Sequence, residues 1–393
     1  MKNRLLFLEG SSLTSRETLT VLLKEGYKVD VLSLDKFSIA RFSRLTHRIP
    51  TVDVNRFPVD YLKQVNQLLH QKNYVAILPT HEEGWLLASG KKFLPTRLPV
   101  ALADKEQFEK LAGKIAFAEI SDQLNLPIPK WERVEKLESI SLPYPYWLKA
   151  DYGTAGRSVY KITSEADLKS LVKVLSIDNE RWMVQQDIDG EYGQVQAIFN
   201  QGKLLAVHSS IKIASGAGGS AAARLSIESE ITKKHVEKLG SYLKWHGSLT
   251  LDFIRVHHQF YYIECNPRMV EPANAYKAGV NFPKMMIELG KGSCTQPDIY
   301  IGKAGVKTHS LLALIIGTAE RTKSRRKILQ TTGHWLLKSD SEEVLTPIWK
   351  DFLSFIPLAI IIIRLLINPG SVTKLVNNTV KHYSVEAATL KNI

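Results

Sequence analysis

Cysteine is nearly absent: Cys265 and Cys294 are the only two in 393 residues, and neither stands in a CxxC or beside clustered histidines. That excludes a disulfide framework and a thiolate zinc site, and it points to a reducing compartment, the cytoplasm. The amino terminus, MKNRLLFLEGSS, has too short an apolar run for a secretory leader before Glu9 interrupts it. The first strand–turn–helix holds Gly10, Ser11 and Ser12 but no GxGxxG, so a dinucleotide fingerprint is missing. A GxxxxGK[ST] phosphate loop, RNA-binding aromatic motifs and zinc-finger spacings are missing as well, which argues against nucleic acid as a partner.

What is present is a globular composition, 44% hydrophobic and 23% charged, enough for two or three domains with their own cores. The formal charge is +13, and residues 301–393 carry 13 Lys and Arg against 6 Asp and Glu, so +7 of it lies in the last quarter. The same quarter holds the most apolar stretch, Asp351 to Asn368 (DFLSFIPLAIIIIRLLIN), downstream of Arg321, Lys323, Arg325, Arg326 and Lys327. A spanning helix needs about 20 apolar residues, and this run is shorter and holds Pro357 and Arg364. Two readings follow for it. One is burial against the body or in a homo-oligomer interface. The other is peripheral contact with the cytoplasmic membrane surface, with Arg364 reaching the headgroups.

From the amino terminus, Arg4 to Leu8 reads as a strand, a helix follows to Glu25, and Lys28 to Ser33 reads as the next strand. A second helix (Val59 to His70) and strand (Val75 to Leu78) lead into PTHEEGWLLASG. Parallel sheets bind ligands at the carboxyl ends of their strands, so Ser11, Ser12, Thr80, His81 and Glu82 are either substrate contacts or turn and cap residues. Lys114 opens a helix that ends before Pro127. In PYPYWLKADYGTAGRSVYKI a strand carries Lys149 inward, and the loop from Gly153 to Ser158 is small enough for backbone N–H groups to approach phosphate oxygens. WMVQQDIDGEYGQVQAI gives strand, turn and strand, whose Met183 to Ile188 backbone suits a purine edge and whose Glu191 suits ribose hydroxyls. Ser215 to Arg224 (SGAGGSAAAR) is too poor in apolar side chains to pack and reads as a mobile loop, with Arg224 placed to meet an anionic group.

The stretch that organises these pieces is FYYIECNPRMVEP, Phe260 to Pro272, together with Asp252 in LTLDFIR. Two apolar runs flank His257-His258-Gln259 as a hairpin. Alternation puts Glu264 and Asn266 on one face, with Asp252 mid-strand beside them. Two carboxylates and an amide oxygen are hard ligands of the type that holds Mg²⁺ or Mn²⁺ while leaving positions for phosphates. Arg268 extends that face with a planar positive fork.

In this order, Lys114, the Lys149 strand with GTAGRS, QQDIDGE, Asp252 and the Glu264/Asn266/Arg268 strand resemble the ATP-grasp superfamily, in its carbamoyl-phosphate-synthetase-like and carboxylate–amine ligase branches. The resemblance covers roughly residues 1–292 and implies an α/β and α+β chain. Residues 1–103 would be a Rossmann-like substrate domain. Residues 104–292 would be a two-subdomain ATP-grasp fold with a small lid subdomain over about 143–188. A mainly helical region, 293–393, would follow. It also implies ATP held by Lys114 and Lys149, covered by Gly153, Thr154, Ala155, Gly156 and Ser158, flanked at the adenine by Gln185, Gln186, Asp187 and Ile188, and held at the ribose by Glu191. Asp252, Glu264 and Asn266 would hold the metal, with Arg268 and Arg224 at the reacting groups. The implied activity is ligation of a small carboxylate to an amine through an acylphosphate, the alternative being an ATP-binding scaffold without turnover. Biotin carboxylation is argued against by the missing biotin-attachment lysine motif and by Glu271 standing three residues after Arg268, one short of the biotin carboxylase spacing. Thr250 occupies the place where a D-alanine ligase-like site would have arginine.

Overall fold

The computed structural model describes residues 3–136, 140–153, 158–173, 175, 181–293, 298–391 and 393. In the first quarter β1 (Arg4–Phe7), α1 (Leu13–Leu22), β2 (Lys28–Ser33), β3 (Thr46–Pro50), α2 (Pro58–Gln71), β4 (Tyr74–Leu78) and α3 (Glu83–Ser89) follow one another. The strands make a parallel sheet in the order β3-β2-β1-β4. Leu5, Leu6 and Phe7 are fully buried, as strands covered by helices on both faces require. The sequence gives no sign of β3, because THRIP is a half-exposed edge strand without an apolar face. After β3 the chain returns to the other side of β1, so the carboxyl ends of β1 and β4 border the crevice where such sheets take ligands.

Next come α4 (Lys105–Ala112), α5 (Lys114–Gln123), β5 (Trp131–Val134), β6 (Tyr146–Ala150), β7 (Val159–Ile162), α6 (Glu165–Val172) and β8 (Trp182–Gln186). A small antiparallel sheet forms in the order β5-β8-β6-β7, so it reaches back to Trp131. Its core is Tyr146, Leu148, Ile162, Leu168, Trp182 and Val184.

The large sheet is built from β9 (Glu191–Asn200), β10 (Lys203–Ser215) and β11 (Ala221–Ile227), then, after α7 (Glu230–Tyr242), from β12 (Gly247–Val256) and β13 (Gln259–Asn266). Then α8 (Ala273–Lys277), α9 (Phe282–Gly290), β14 (Tyr300–Ile301), β15 (Lys307–His309), α10 (Leu311–Thr322), α11 (Arg325–Leu336), β16 (Glu342–Glu343), α12 (Phe355–Ile367), α13 (Val372–Tyr383) and α14 (Ala387–Lys391) complete the chain. Strand order is β13-β12-β9-β10-β11-β15-β16, with β14 on β10. The last hundred residues are thus mainly helical and add three short strands to this sheet.

One expectation is corrected here. Ser215 to Arg224 is a β-hairpin, not a loop: β10 and β11 pair from Ser209↔Ile227 to Ser215↔Ala221 around a tight turn at Ala217–Gly219. Its small residues have a packing reason that local sequence cannot show. Helix α10 lies directly on the hairpin, and a Cβ on Gly317 would come within 2.4 Å of the Gly216 carbonyl carbon. Glu320 accepts the Gly218 N–H at 2.7 Å, and Arg321 donates to the Ser215 and Gly216 carbonyls at 3.2 and 3.1 Å. Of the apolar stretch, α12 is buried along Pro357, Leu358 and Leu365. Among the described residues no helix is long and apolar enough to cross a membrane.

The core also fixes a pH dependence. His208 on β10 is fully buried, and its Nε2 lies 2.8 Å from Asn274 Oδ1. Burial pushes its pKa down to about 4, so the folded chain keeps it neutral while the unfolded chain protonates near pH 6.5. This contribution is complete above about pH 6.5 and is lost as pH falls toward 4, reaching about 3 kcal/mol. The drop in thermal midpoint between pH 7 and pH 4.5 should therefore be smaller in His208→Gln than in wild type; equal drops in calorimetry would remove His208 as the cause.

Candidate functional site

The β12–β13 hairpin carries the site because its two faces differ. Leu249, Leu251 and Phe253 are buried in the core, while Thr250 and Asp252 alternate to the other side. Asp252 pairs with Glu264, but the next pair is Phe253 with Tyr262, so Ile263 is an extra residue, a β-bulge. The bulge resets the alternation: Tyr262 and Cys265 both point into the core although three residues apart, and Glu264 and Asn266 face the site. It also releases the Ile263 carbonyl from the ladder. The Lys149 ammonium donates to that carbonyl at 3.3 Å and to Gln185 Oε1 at 2.6 Å.

Around the hairpin the polar groups converge. The Asn266 amide donates to Asp252 Oδ2 at 3.3 Å, and Arg268 donates to Asn266 Oδ1 at 3.2 Å. Lys114 Nζ lies 3.9 Å from Glu264 Oε1 and donates to the Gly153 carbonyl at 3.4 Å. The first turn of α5, which presents Lys114, is docked on the end of β6 by Asp151, a residue that sequence reading passed over. Asp151 accepts the Lys114 N–H with its carbonyl and the Ile115 N–H with Oδ1, both at 2.9 Å. A helix cap supplied from the far side of two elements leaves no local signal.

Burial, followed by the nearby Glu264 charge, pushes the Asp252 carboxyl up to about 7. Burial likewise lowers the Lys149 ammonium to about 8, with Lys114 adding to the effect. Burial alone would raise Glu82, at the end of β4, yet His81 and Arg268 outweigh it and hold it at about 2. The crevice edge of the first sheet therefore lies within the field of Arg268. Among the described residues no group of three His, Cys, Asp or Glu is placed to hold a metal. The available donor set is two facing carboxylates and an amide oxygen, whose chemistry suits a hard divalent cation that keeps most of its ligands from phosphate and water.

The other expected residues divide. Gln185 is buried beneath Lys149, and Gln186 is exposed with its N–H on the Lys130 carbonyl. The Asp187 side chain is engaged by Trp147 Nε1 at 2.7 Å and by Lys161 at 2.6 Å, and its N–H donates to the Pro145 carbonyl at 3.4 Å; Ile188 is half-buried beside it. Glu191 pairs with Arg255 at 2.6 Å across β9 and β12. Gly153 and Ser158 bracket the loop, and the Ser158 carbonyl accepts the Ala150 N–H. Thr154, Ala155 and Gly156 lie outside the described residues. The Ser12 and Thr80 hydroxyls are not free for substrate: together with that of Ser15 they donate to the Glu9 carboxylate, which also accepts the Ser11 and Ser12 N–H groups, and Ser12 caps α1. Arg224, expected at the end of a loop, is buried on β11 and paired with Glu271 at 2.8 Å, with its second terminal nitrogen unpartnered.

Glu271 and Glu17 are close enough that Glu17 rises to about 8, through burial first and then the Glu271 charge. Arg224 is what keeps this pair tolerable. Arg224→Met should cost about 3 kcal/mol by leaving the half-buried Glu271 carboxylate without its counter-charge, and the double change Arg224→Met, Glu271→Gln should recover most of it. Equal thermal midpoints for Arg224→Met and wild type would refute the assignment.

Residues 111–272 match the family described as the ATP-grasp domain. No curated protein sequence matches the chain. Among solved structures, an ADP complex of N5-carboxyaminoimidazole ribonucleotide synthetase superposes with a TM-score of 0.61 at 16% identity, covering 82% of this chain and 85% of that one. L-amino acid ligase from Bacillus licheniformis gives 0.57 at 16%, covering 74% and 75%. Biotin carboxylase from Campylobacter jejuni, with a β,γ-ATP ligand, gives 0.58 at 16%, covering 76% and 72%. At such identities the likeness is one of fold.

Proposed function

We propose, from the ATP-grasp domain that this chain carries over residues 111–272, that the protein is a cytoplasmic, ATP- and Mg²⁺-dependent ligase that joins a small carboxylate to an amine. The observation that supports this most is the line Asp252–Asn266–Arg268 beside Glu264, with Lys114 and Lys149 brought in from two other elements. The similar folds of an amino acid ligase and a ribonucleotide synthetase support the same reaction class. Domain boundaries near residues 103 and 292 go with this reading.

A carboxylate is a poor electrophile. Transfer of the γ-phosphoryl group of ATP to a carboxylate oxygen releases ADP and gives an acylphosphate. An amine then attacks the acyl carbon, phosphate leaves, and the amine loses a proton. The chain's work is charge neutralisation and positioning. Lys114 and Lys149 hold the ATP phosphates under the loop from Gly153 to Ser158. The backbone from Gln185 to Ile188 flanks the adenine, and Glu191 reaches the ribose once turned from Arg255. Asp252, Glu264 and Asn266 would hold Mg²⁺, which supplies charge neutralisation at the phosphates. Arg268 faces the transferring group, and Arg224, through its unpartnered nitrogen, faces the substrate carboxylate. The β8–β9 connection is the hinge on which the small sheet closes and keeps water from the acylphosphate.

Purified protein should release ADP and phosphate only when both a carboxylate and an amine from a substrate library are supplied. Glu264→Gln and Asn266→Ala should abolish this with an unchanged circular dichroism spectrum. Tight ATP binding with no turnover across the library would instead favour a scaffold. In calorimetry, Lys149→Ala should weaken ATP affinity more than Arg268→Ala does, because the lysine meets ground-state phosphates and the arginine mainly the developing charge. Wild-type ATP affinity in Lys149→Ala would make that lysine structural.

A further inference from the structure

We propose that the outer face of α12, with the basic start of α11 beside it, is a docking surface for an anionic lipid bilayer. Just before and along α12, Phe352, Ile356, Ile360, Ile363 and Ile367 recur every three or four residues, and they are 68%, 38%, 51%, 58% and 69% exposed. They form one stripe. The opposite side, Leu358 and Leu365, packs with Leu311, Ile315 and Ile328 of the tail's own core. The exposed stripe is therefore not needed to hold the helix in place. Trp349, just upstream, is entirely exposed.

Charge selects the partner. Residues 321–339 and 352–385 contain nine Lys and Arg and no Asp or Glu. Arg325 donates to the Ile367 carbonyl at 2.8 Å, which fixes the Arg325-Arg326-Lys327 cluster at the carboxyl end of the stripe, one turn from Arg364. Among the described residues the tail's Lys–acid pairs run through Lys277, Lys307, Lys338 and Lys350, not through this cluster. A second copy packed by its own stripe would bring like charges together. A nucleic acid would leave the isoleucines without a partner. A bilayer with anionic headgroups takes the isoleucines into its acyl boundary and the cations at its phosphates. At 13 residues α12 is too short to span and suited to lie in the interface.

The test is flotation of the full-length protein with phosphatidylcholine vesicles, with and without phosphatidylglycerol. At low salt the protein should float with the anionic vesicles only, and high salt should release it. Arg326→Gln with Lys327→Gln should lower partitioning about thirtyfold, and Ile360→Asp with Ile363→Asp should abolish it. All four positions are exposed, so thermal midpoint and ATP affinity should stay at wild-type values. Wild-type protein left unfloated by anionic vesicles at low salt overturns the proposal, as does wild-type flotation of the isoleucine variant. A concentration-dependent dimer that Ile360→Asp dissolves, without flotation, gives the face to a second copy instead.

Discussion

Asp252 and Glu264 sit opposite each other across the β12–β13 ladder, and two partly buried carboxylates at that spacing repel unless cations surround them. Much of the architecture is an answer to that repulsion. Lys114 comes from the start of α5, Lys149 from the small sheet and Arg268 from the turn after β13. No single element supplies more than one of these charges. The cluster therefore forms only when both sheets and α5 are in place, which couples folding of the site to folding of the whole.

The couplings are specific. The β-bulge at Ile263 turns Glu264 toward the site and offers Lys149 a carbonyl, so one inserted residue places both an acid and its counter-charge. Asp151 ties α5 to β6, which sets the spacing of the two lysines. Arg224, Glu271 and Glu17 continue the alternation of charge from the large sheet to α1, where Glu17 accepts the Ala273 N–H at 3.0 Å. The first sheet is thereby held with its crevice edge toward Arg268.

The carboxyl-terminal region acts as a brace. The buried Arg16 on α1 donates to the Leu345 carbonyl at 2.9 Å and pairs with Asp351 at 3.0 Å. Helix α10 covers the β10–β11 hairpin, and the end of α13 reaches the crevice of the first sheet, where Tyr383 packs on His81 with ring centres 4.4 Å apart. These contacts hold both sheets from outside and leave one side of α12 in solvent.

The sequence by itself determined the elements whose information is local. Period-two alternation marked β12 and β13 and put Asp252, Glu264 and Asn266 on one side, and the glycine-bounded strand around Lys149 was legible for the same reason. Capping and apolar periodicity likewise marked α1, α2 and α5. Only the tertiary structure decided the rest. The Ser215 to Arg224 stretch reads as loop because its small side chains carry no pattern, yet they are small because a helix a hundred residues later lies on them. Ser12 and Thr80 read equally as ligand contacts and as turn or cap residues, and the Glu9 carboxylate claims both hydroxyls. Arg224 reads as the end of a loop placed to meet an anionic group, and the half-buried Glu271 from another element holds it. For the hairpin and for Arg224 the deciding partner is distant in the chain, and burial, which sets the strength of every charge here, is a property of the assembled fold and not of the residues that flank a position.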